Sequence, residues 1–146
     1  MAAHSWGVAL LVLALLPDDL DPIRALRYAV LHDLPEALAG NVTPYDGVSP
    51  ADKGSAEAAA MATLAAVLQR GETLQACWEA YERQEDAEAR FVRQLDRLDL
   101  ALQAHVYGAR GLDPAEFLAS AARVVTDPGL RSLLASLDRN IPARRA

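Results

Sequence analysis

A histidine and an aspartate stand side by side in the segment LHDLPE, residues 31–36, and this pair joins an imidazole to a carboxylate. His4 near the amino terminus and Asp96 in the second half of the chain offer the same two groups. Imidazole nitrogens and carboxylate oxygens can hold a divalent metal ion while leaving coordination positions free for water and substrate. These four side chains are therefore candidate ligands of a hydrolytic metal site, which favours an enzyme.

Each of these residues also has a purely structural interpretation. Asp96 falls just off the apolar face of its predicted helix, where it could be a solvated carboxylate that pairs with Arg93, with Asp99 one turn further along. His4 could be a polar chain end, and His32 could be a hydrogen-bonded core residue. Taken singly, the structural interpretation is favoured for each residue, so only their combination indicates a metal site.

The elements that must position these side chains are predicted to be helices. A capping side chain followed by proline marks a helix start, because the cap accepts a free backbone N–H and proline needs none at the first helical position. Such pairs occur at Asp21-Pro22, Ser49-Pro50, Asp113-Pro114 and Asp127-Pro128. With the apolar periodicity they predict helices at about 5–16, 22–33, 50–70, 74–84, 86–108, 114–125 and 128–138, and no convincing strand.

Pro35 determines where the histidine-aspartate pair lies. Proline lacks a helical N–H and crowds the preceding turn, so the second helix should stop near Asp33. Residues 34–38 should then form a short helical turn closed by Gly40. The pair is therefore predicted at a helix end beside the loop 40–49, a setting in which substrate contacts are common.

Composition excludes several classes of function. The 146 residues suit one domain, and 20 acidic against 14 basic residues leave a net charge of −6, which offers no broad cationic surface for nucleic acid or anionic lipid. The apolar run from Trp6 to Leu16 has no basic residue before it and is shorter than the roughly 20 residues of a membrane span, so we expect a buried core helix. With one cysteine, Cys77, we expect a cytoplasmic protein without a membrane segment.

Four blocks in one order carry a resemblance to a known family. They are HSW at 4–6, HDLPEALAGNVTP at 32–44, the pair Lys53 and Glu57, and AEARFVRQLDRLD at 87–99. The chain from His4 to about Leu137 resembles the HD-domain 5'-deoxynucleotidases, a branch of the HD metal-dependent phosphohydrolase superfamily. An isolated His-Asp pair occurs by chance in many proteins, whereas four ordered blocks are far more specific.

The resemblance implies an all-α fold, a single HD-domain helical bundle of about six to seven helices over residues 1–146. It also implies that the metal ligands are His4, His32, Asp33 and Asp96. This set of nitrogens and oxygens suits Mn²⁺, Co²⁺, Mg²⁺ or Fe²⁺ better than a closed thiolate zinc site. Glu36, three residues after Asp33, takes a catalytic position in the family, where it could protonate the leaving oxygen or orient water. From the sequence alone, a surface carboxylate at a helix start is an equal alternative.

Three further site candidates follow from the resemblance. Asn41 is a catalytic candidate at a position where the family usually has an aspartate; it can form hydrogen bonds but cannot act as a base. Thr43 and Lys53 are candidates for substrate binding, although pairing of Lys53 with Glu57 across one helical turn is favoured.

The family pattern also includes a segment that this sequence does not contain. Members usually carry a helix before the first histidine, with an Arg-Trp element that contacts the phosphate, whereas three residues precede His4 here, so we expect this helix to be absent. The recorded start could lie too far downstream, another arginine such as Arg24, Arg27 or Arg93 could replace the contact, or the activity could have drifted.

The resemblance implies hydrolysis of (deoxy)ribonucleoside 5'-monophosphates to nucleoside and phosphate. Two alternatives stay open: an HD phosphohydrolase that acts on another phosphate ester, and a catalytically impaired metal-binding or interaction module. We also expect a homodimer, because apolar faces around Trp78, Tyr81 and Phe117 exceed what one small core needs and relatives of this type tend to pair.

Overall fold

Helices are the only regular elements among residues 2–40, 47–108 and 114–139, the parts of the chain that the computed structural model describes. Seven of the helices have ten or more residues, and the third is a single turn. They are α1 Ala2–Leu15, α2 Pro22–Leu31, α3 Glu36–Ala39, α4 Pro50–Val67, α5 Gly71–Arg83, α6 Ala87–Gly108, α7 Ala115–Val124 and α8 Pro128–Arg139. The predicted all-α fold is confirmed.

The predicted caps explain three of the helix starts. Asp21 accepts hydrogen bonds from two backbone N–H groups in the first turn of α2. Ser49 accepts one from the first turn of α4, and Asp127 accepts one from the first turn of α8. The fourth predicted cap, Asp113, lies outside the described residues. Local side-chain chemistry therefore fixes where these helices begin.

The chain turns sharply between α2 and α3, as Pro35 predicted. The helix α2 ends at Leu31 and the next four residues form a turn. Gly40, with a φ of +82°, follows the last residue of α3. A positive φ is costly for residues with a Cβ, so glycine suits this exit. The turn leaves His32 and Asp33 just beyond the last residue of α2.

The long helix α6 lies at the centre of the fold. It packs against α1, α2, α5, α7 and α8, whereas α4 packs against α3 and α5. Fully buried side chains of α1 and α6, among them Val8, Val12, Leu95 and Leu98, form the shared core. This packing brings the first turn of α1 and the end of α2 beside the middle of α6.

Of the three residues around which apolar faces for a homodimer were predicted, two are buried and one is partly exposed. Trp78 and Tyr81 are both 6% exposed and are buried within the single chain, because α5 turns them toward the core; Phe117 is 38% exposed. The exposed apolar residues of α1 follow a helical stripe instead: Trp6, Leu10 and Leu13 are 69%, 48% and 70% exposed.

The same stripe corrects the expectation of a wholly buried first helix. Only one face of α1, with His4, Val8 and Val12, is buried. No helix in the described part of the chain is both long and apolar enough to cross a membrane.

Candidate metal centre

Three segments of the chain supply the candidate ligands. His4 lies in the first turn of α1, His32 and Asp33 follow α2, and Asp96 lies in the middle of α6. His4, His32 and Asp96 are 9%, 8% and 8% exposed, so the solvated interpretation of Asp96 is wrong. Its ion-pair partners within 4.0 Å are His4 and Arg97 rather than the predicted Arg93.

Three of the four side chains, His4, His32 and Asp33, converge on one point, and Asp96 joins them through its contact with His4. The Nε2 atom of His4 lies 3.0 Å from Oδ1 of Asp96 and 3.7 Å from Oδ2 of Asp33. The Nε2 atom of His32 lies 3.4 Å from Oδ1 of Asp33 and 3.4 Å from Nε2 of His4. One ligand atom each from His4, His32 and Asp33 lie within 4.8 Å of one another. Packing of three distant segments has thus assembled a cluster that local sequence could not guarantee.

The outer nitrogen of each histidine ring has its own hydrogen-bond acceptor. Nδ1 of His32 donates to the backbone carbonyl of Ala29 at 2.9 Å, and Nδ1 of His4 donates to Oδ2 of Asp99 at 2.6 Å. When Nδ1 carries the proton of a neutral imidazole, the lone pair is on Nε2. Both rings therefore aim the nitrogen that can bind a metal ion at the shared point.

Electrostatics at this point favour a positive charge. Burial alone would lower the pKa of His4, but the hydrogen bonds with Asp96 and Asp99 and the surrounding carboxylates raise it to about 9. Burial alone would raise the pKa of Asp96, but the hydrogen bond from His4 and the nearby Arg97 guanidinium lower it. The carboxylates thus stabilise a cation between them, and the two-nitrogen, two-carboxylate donor set fits a divalent ion.

Lys53 connects α4 to the catalytic candidate Glu36. Its Nζ atom lies 3.2 Å from Oε1 of Glu36 and 3.3 Å from Oε1 of Glu57. The side chains of Glu36 and Glu57 are 12% and 17% exposed, so neither is a free surface carboxylate. The predicted pairing of Lys53 with Glu57 is confirmed, and the contact with Glu36 adds a second partner that sequence reasoning did not foresee.

The arginines proposed as phosphate contacts occupy different surroundings. Arg24 lies 3.6 Å from the carboxylate of Asp86, which is not one of the candidate ligands. Arg93 affects the Tyr81 hydroxyl through its charge. Burial and the Asp96 carboxylate raise the pKa of Tyr81, and the Arg93 guanidinium lowers it. The Tyr81 ring lies 5.9 Å from the His32 ring, centroid to centroid. Asn41 and Thr43 lie outside the described residues.

Asp99 is a site residue that the sequence interpretation missed. It was expected to be solvated one turn beyond Asp96, but it is 6% exposed and contacts His4. Its spacing of three residues from Asp96 on one helix was the available signal, since such residues share a helix face. The spacing alone could not show that this face is covered by α1.

Comparison with known proteins places the chain in a family. A family model described as HD domain matches residues 1–128. The 5'-deoxynucleotidase HDDC2 of Danio rerio is 31% identical over 140 residues, which cover 92% of this chain and 70% of that protein. The human 5'-deoxynucleotidase HDDC2 is also 31% identical over 140 residues, with 92% and 69% covered.

Solved structures show the same architecture. The PH0347 protein of Pyrococcus horikoshii OT3 is 29% identical, with a TM-score of 0.75 over 94% of this chain and 82% of that one. A predicted metal-dependent phosphohydrolase of Magnetospirillum magnetotacticum MS-1 is 26% identical, with a TM-score of 0.68 over 94% and 78%. The chain belongs to the HD-domain family and has the fold of its metal-dependent phosphohydrolases, as the sequence blocks predicted.

Proposed function

We propose that this protein is a divalent-metal-dependent phosphomonoesterase that hydrolyses (deoxy)ribonucleoside 5'-monophosphates to nucleoside and phosphate. The observation that carries the proposal is the convergence of His4, His32 and Asp33, with Asp96 3.0 Å from Nε2 of His4 and with the Nε2 atom of each ring directed inward. The choice of substrate is supported by the relatives named 5'-deoxynucleotidase, which are similar over 92% of the chain.

In this proposal His4, His32, Asp33 and Asp96 would hold the ion, for which Mn²⁺, Co²⁺, Mg²⁺ and Fe²⁺ are the candidates. A bound divalent ion would supply Lewis acidity for the phosphoryl group and for the attacking water. The chain itself contributes burial, because the low exposure of the cluster limits competing solvent and strengthens the electrostatic contacts.

Glu36 is proposed as the group that handles the proton. The carboxylate is largely buried and is held by Lys53 from α4, so its position is fixed by two helices. A positioned carboxylate can orient the attacking water, accept a proton from it and pass that proton to the departing 5'-oxygen of the nucleoside. Lys53 would influence the substrate indirectly, by positioning Glu36. We propose Arg93 as the arginine that contacts the phosphate group of the substrate. Asn41 and Thr43 stay predicted site residues.

Phosphate release tests this function directly. Purified protein with Mn²⁺ or Co²⁺ is expected to release phosphate from dAMP, dGMP, dCMP, dTMP or dUMP, and Asp96→Ala is expected to abolish the release. The exposed Asp18 provides a matched control, since Asp18→Ala removes a carboxylate that is neither buried nor a candidate ligand. Release from other phosphate esters alone would indicate a different HD phosphohydrolase. Absence of both turnover and metal uptake would indicate an interaction module.

We further propose that the protein forms a homodimer through the apolar stripe of α1, defined by Trp6, Leu10 and Leu13. Large apolar side chains that repeat on one helix face commonly mark a contact surface. The single-domain organisation over residues 1–146 and the cytoplasmic location stay predictions.

A further inference from the structure

The carboxylate of Asp99 lies directly behind the His4 ring. Its Oδ2 atom accepts the hydrogen bond from Nδ1 of His4 at 2.6 Å, and the two residues are 95 positions apart in the sequence. The Asp99 side chain is 9% exposed, so water competes little for this contact. The other nitrogen of the same ring faces Asp96, one turn earlier on α6.

A second hydrogen bond reaches the same oxygen of the Asp99 carboxylate. Nε2 of Gln103 donates to Oδ2 of Asp99 at 2.5 Å, across one turn of α6. The carboxylate therefore accepts from both α1 and its own helix. Two fixed hydrogen bonds restrict its rotation and hold the acceptor where the His4 ring needs it.

The close approach of α1 to this carboxylate depends on Gly7. A Cβ at position 7 would overlap the Asp99 carboxylate and would lie 2.9 Å from its Cγ. Glycine in a helix interior is destabilising by roughly 0.5–1 kcal/mol relative to alanine, so its presence here calls for a steric reason. The Asp99 side chain supplies that reason.

We propose that Asp99, with Gln103 and Gly7, is a positioning unit that fixes the orientation and the Nδ1–H tautomer of His4. The inference rests on the proposed metal site, because its consequence is the direction of the His4 Nε2 lone pair toward the ion. Partners behind a metal-binding histidine commonly set metal affinity by 10- to 100-fold. Asp99 is not a ligand in this arrangement; it acts through His4.

The test measures Mn²⁺ affinity without substrate, by calorimetric titration of the purified chain. Asp99→Asn keeps the side-chain size but removes the charge, and we expect the Kd for Mn²⁺ to rise about 10- to 100-fold. Asp18→Asn makes the same chemical change at an exposed position and should leave the Kd unchanged. Gln103→Met should raise the Kd in the same direction by a smaller factor. Thermal unfolding with EDTA shows whether each variant is folded.

Histidine NMR of the Mg²⁺-loaded protein gives a second readout. We expect the His4 ring to carry its proton on Nδ1 in the wild-type protein and to lose this single tautomer in Asp99→Asn. A folded Asp99→Asn variant with unchanged Kd and tautomer would overturn the inference. If that variant does not fold, an unchanged Kd in Gln103→Met would overturn it instead.

The outcome can be separated from that of the proposed function. A Kd that depends on Asp99, in a protein that releases no phosphate, would support the positioning unit and contradict the phosphatase. A wild-type chain that binds no Mn²⁺ would contradict both.

Discussion

His4 contacts a different carboxylate through each of its ring nitrogens. Nε2 faces Asp96 at 3.0 Å and Nδ1 faces Asp99 at 2.6 Å, so one ring joins α1 to two turns of α6. Burying charged groups this close together lowers the stability of the fold unless each charge has its partner. The arrangement of the ligand cluster and the stability of the α1–α6 contact therefore both depend on the His4 side chain.

Stability should depend on pH through His4. Its pKa of about 9 in the folded protein exceeds the ordinary 6.5, so its protonation stabilises the fold fully below pH 6.5, and this contribution is lost as the pH rises through 9. In EDTA, we expect the free energy of unfolding to fall over this range by at most about 1.4 kcal/mol per pH unit relative to His4→Gln. Urea denaturation at several pH values measures how the free energy of unfolding changes with pH in the wild-type protein and in His4→Gln. Equal slopes for the two proteins would refute the raised pKa of His4.

Lys53 should affect turnover more than substrate binding. Lys53→Met removes the cation that holds Glu36, and we expect kcat to fall about 10- to 100-fold, the scale of a misplaced proton-transfer group, with a smaller change in KM. Lys53→Arg keeps a charge at this place and should retain part of the activity. Steady-state kinetics on the best deoxynucleotide measures the effect; a rise in KM alone would instead indicate direct substrate binding.

The residues that the sequence could identify differ from those that it could not in how far along the chain their contacts lie. His32 and Asp33 are adjacent, so their common placement was predictable from local structure. Asp99 was missed because its burial depends on the packing of α1, whose His4 lies 95 residues earlier in the chain. Lys53 was assigned the partner one helical turn away, and its contact with Glu36 required knowledge of how α3 packs on α4.

Helix boundaries follow local chemistry at their starts and tertiary contacts at some of their ends. The caps of α2, α4 and α8 were predictable because the side chain and the N–H group that it accepts are neighbours in sequence. The helix predicted over residues 50–70 was expected to continue to about residue 70, whereas α4 ends at Val67. The chain must turn earlier there because the start of α5 packs against the last turn of α4.

Two glycines should respond oppositely to the same substitution. A Cβ at Gly71 would overlap the backbone carbonyl of Ala65, so Gly71→Ala should lower the free energy of unfolding by about 1–3 kcal/mol. Gly54 is exposed within α4 and has open space around it, so Gly54→Ala should raise the free energy of unfolding by about 0.5–1 kcal/mol. Chemical denaturation compares the three proteins. A neutral Gly71→Ala variant would contradict the close approach of α4 and α5.

At the scale of the whole molecule, the ligand cluster exists only when the bundle is folded. Its members come from α1, from the turn after α2 and from α6, and these three segments contact one another. The folded chain would bind an ion at this cluster more tightly than the unfolded chain would. The ion would therefore stabilise the protein by mass action. Metal binding and folding are therefore expected to be coupled.

The oligomeric state follows from the apolar stripe of α1. Light scattering after gel filtration is expected to give twice the 15.7 kDa mass of one chain. Leu13→Glu places a charge in the stripe and should give the mass of one chain, whereas Val67→Glu, at another exposed apolar position on α4, should not change the mass. A wild-type mass of one chain would exclude the proposed dimer under those conditions.

The most direct measurement of the central claim is a crystal structure of the Mn²⁺-loaded protein with anomalous diffraction. We expect one anomalous peak about 2.0–2.3 Å from Nε2 of His4, Nε2 of His32 and the carboxylates of Asp33 and Asp96. A peak elsewhere, or an ordered cluster without a peak in saturating Mn²⁺, would contradict the proposed metal centre and the phosphatase function that depends on it.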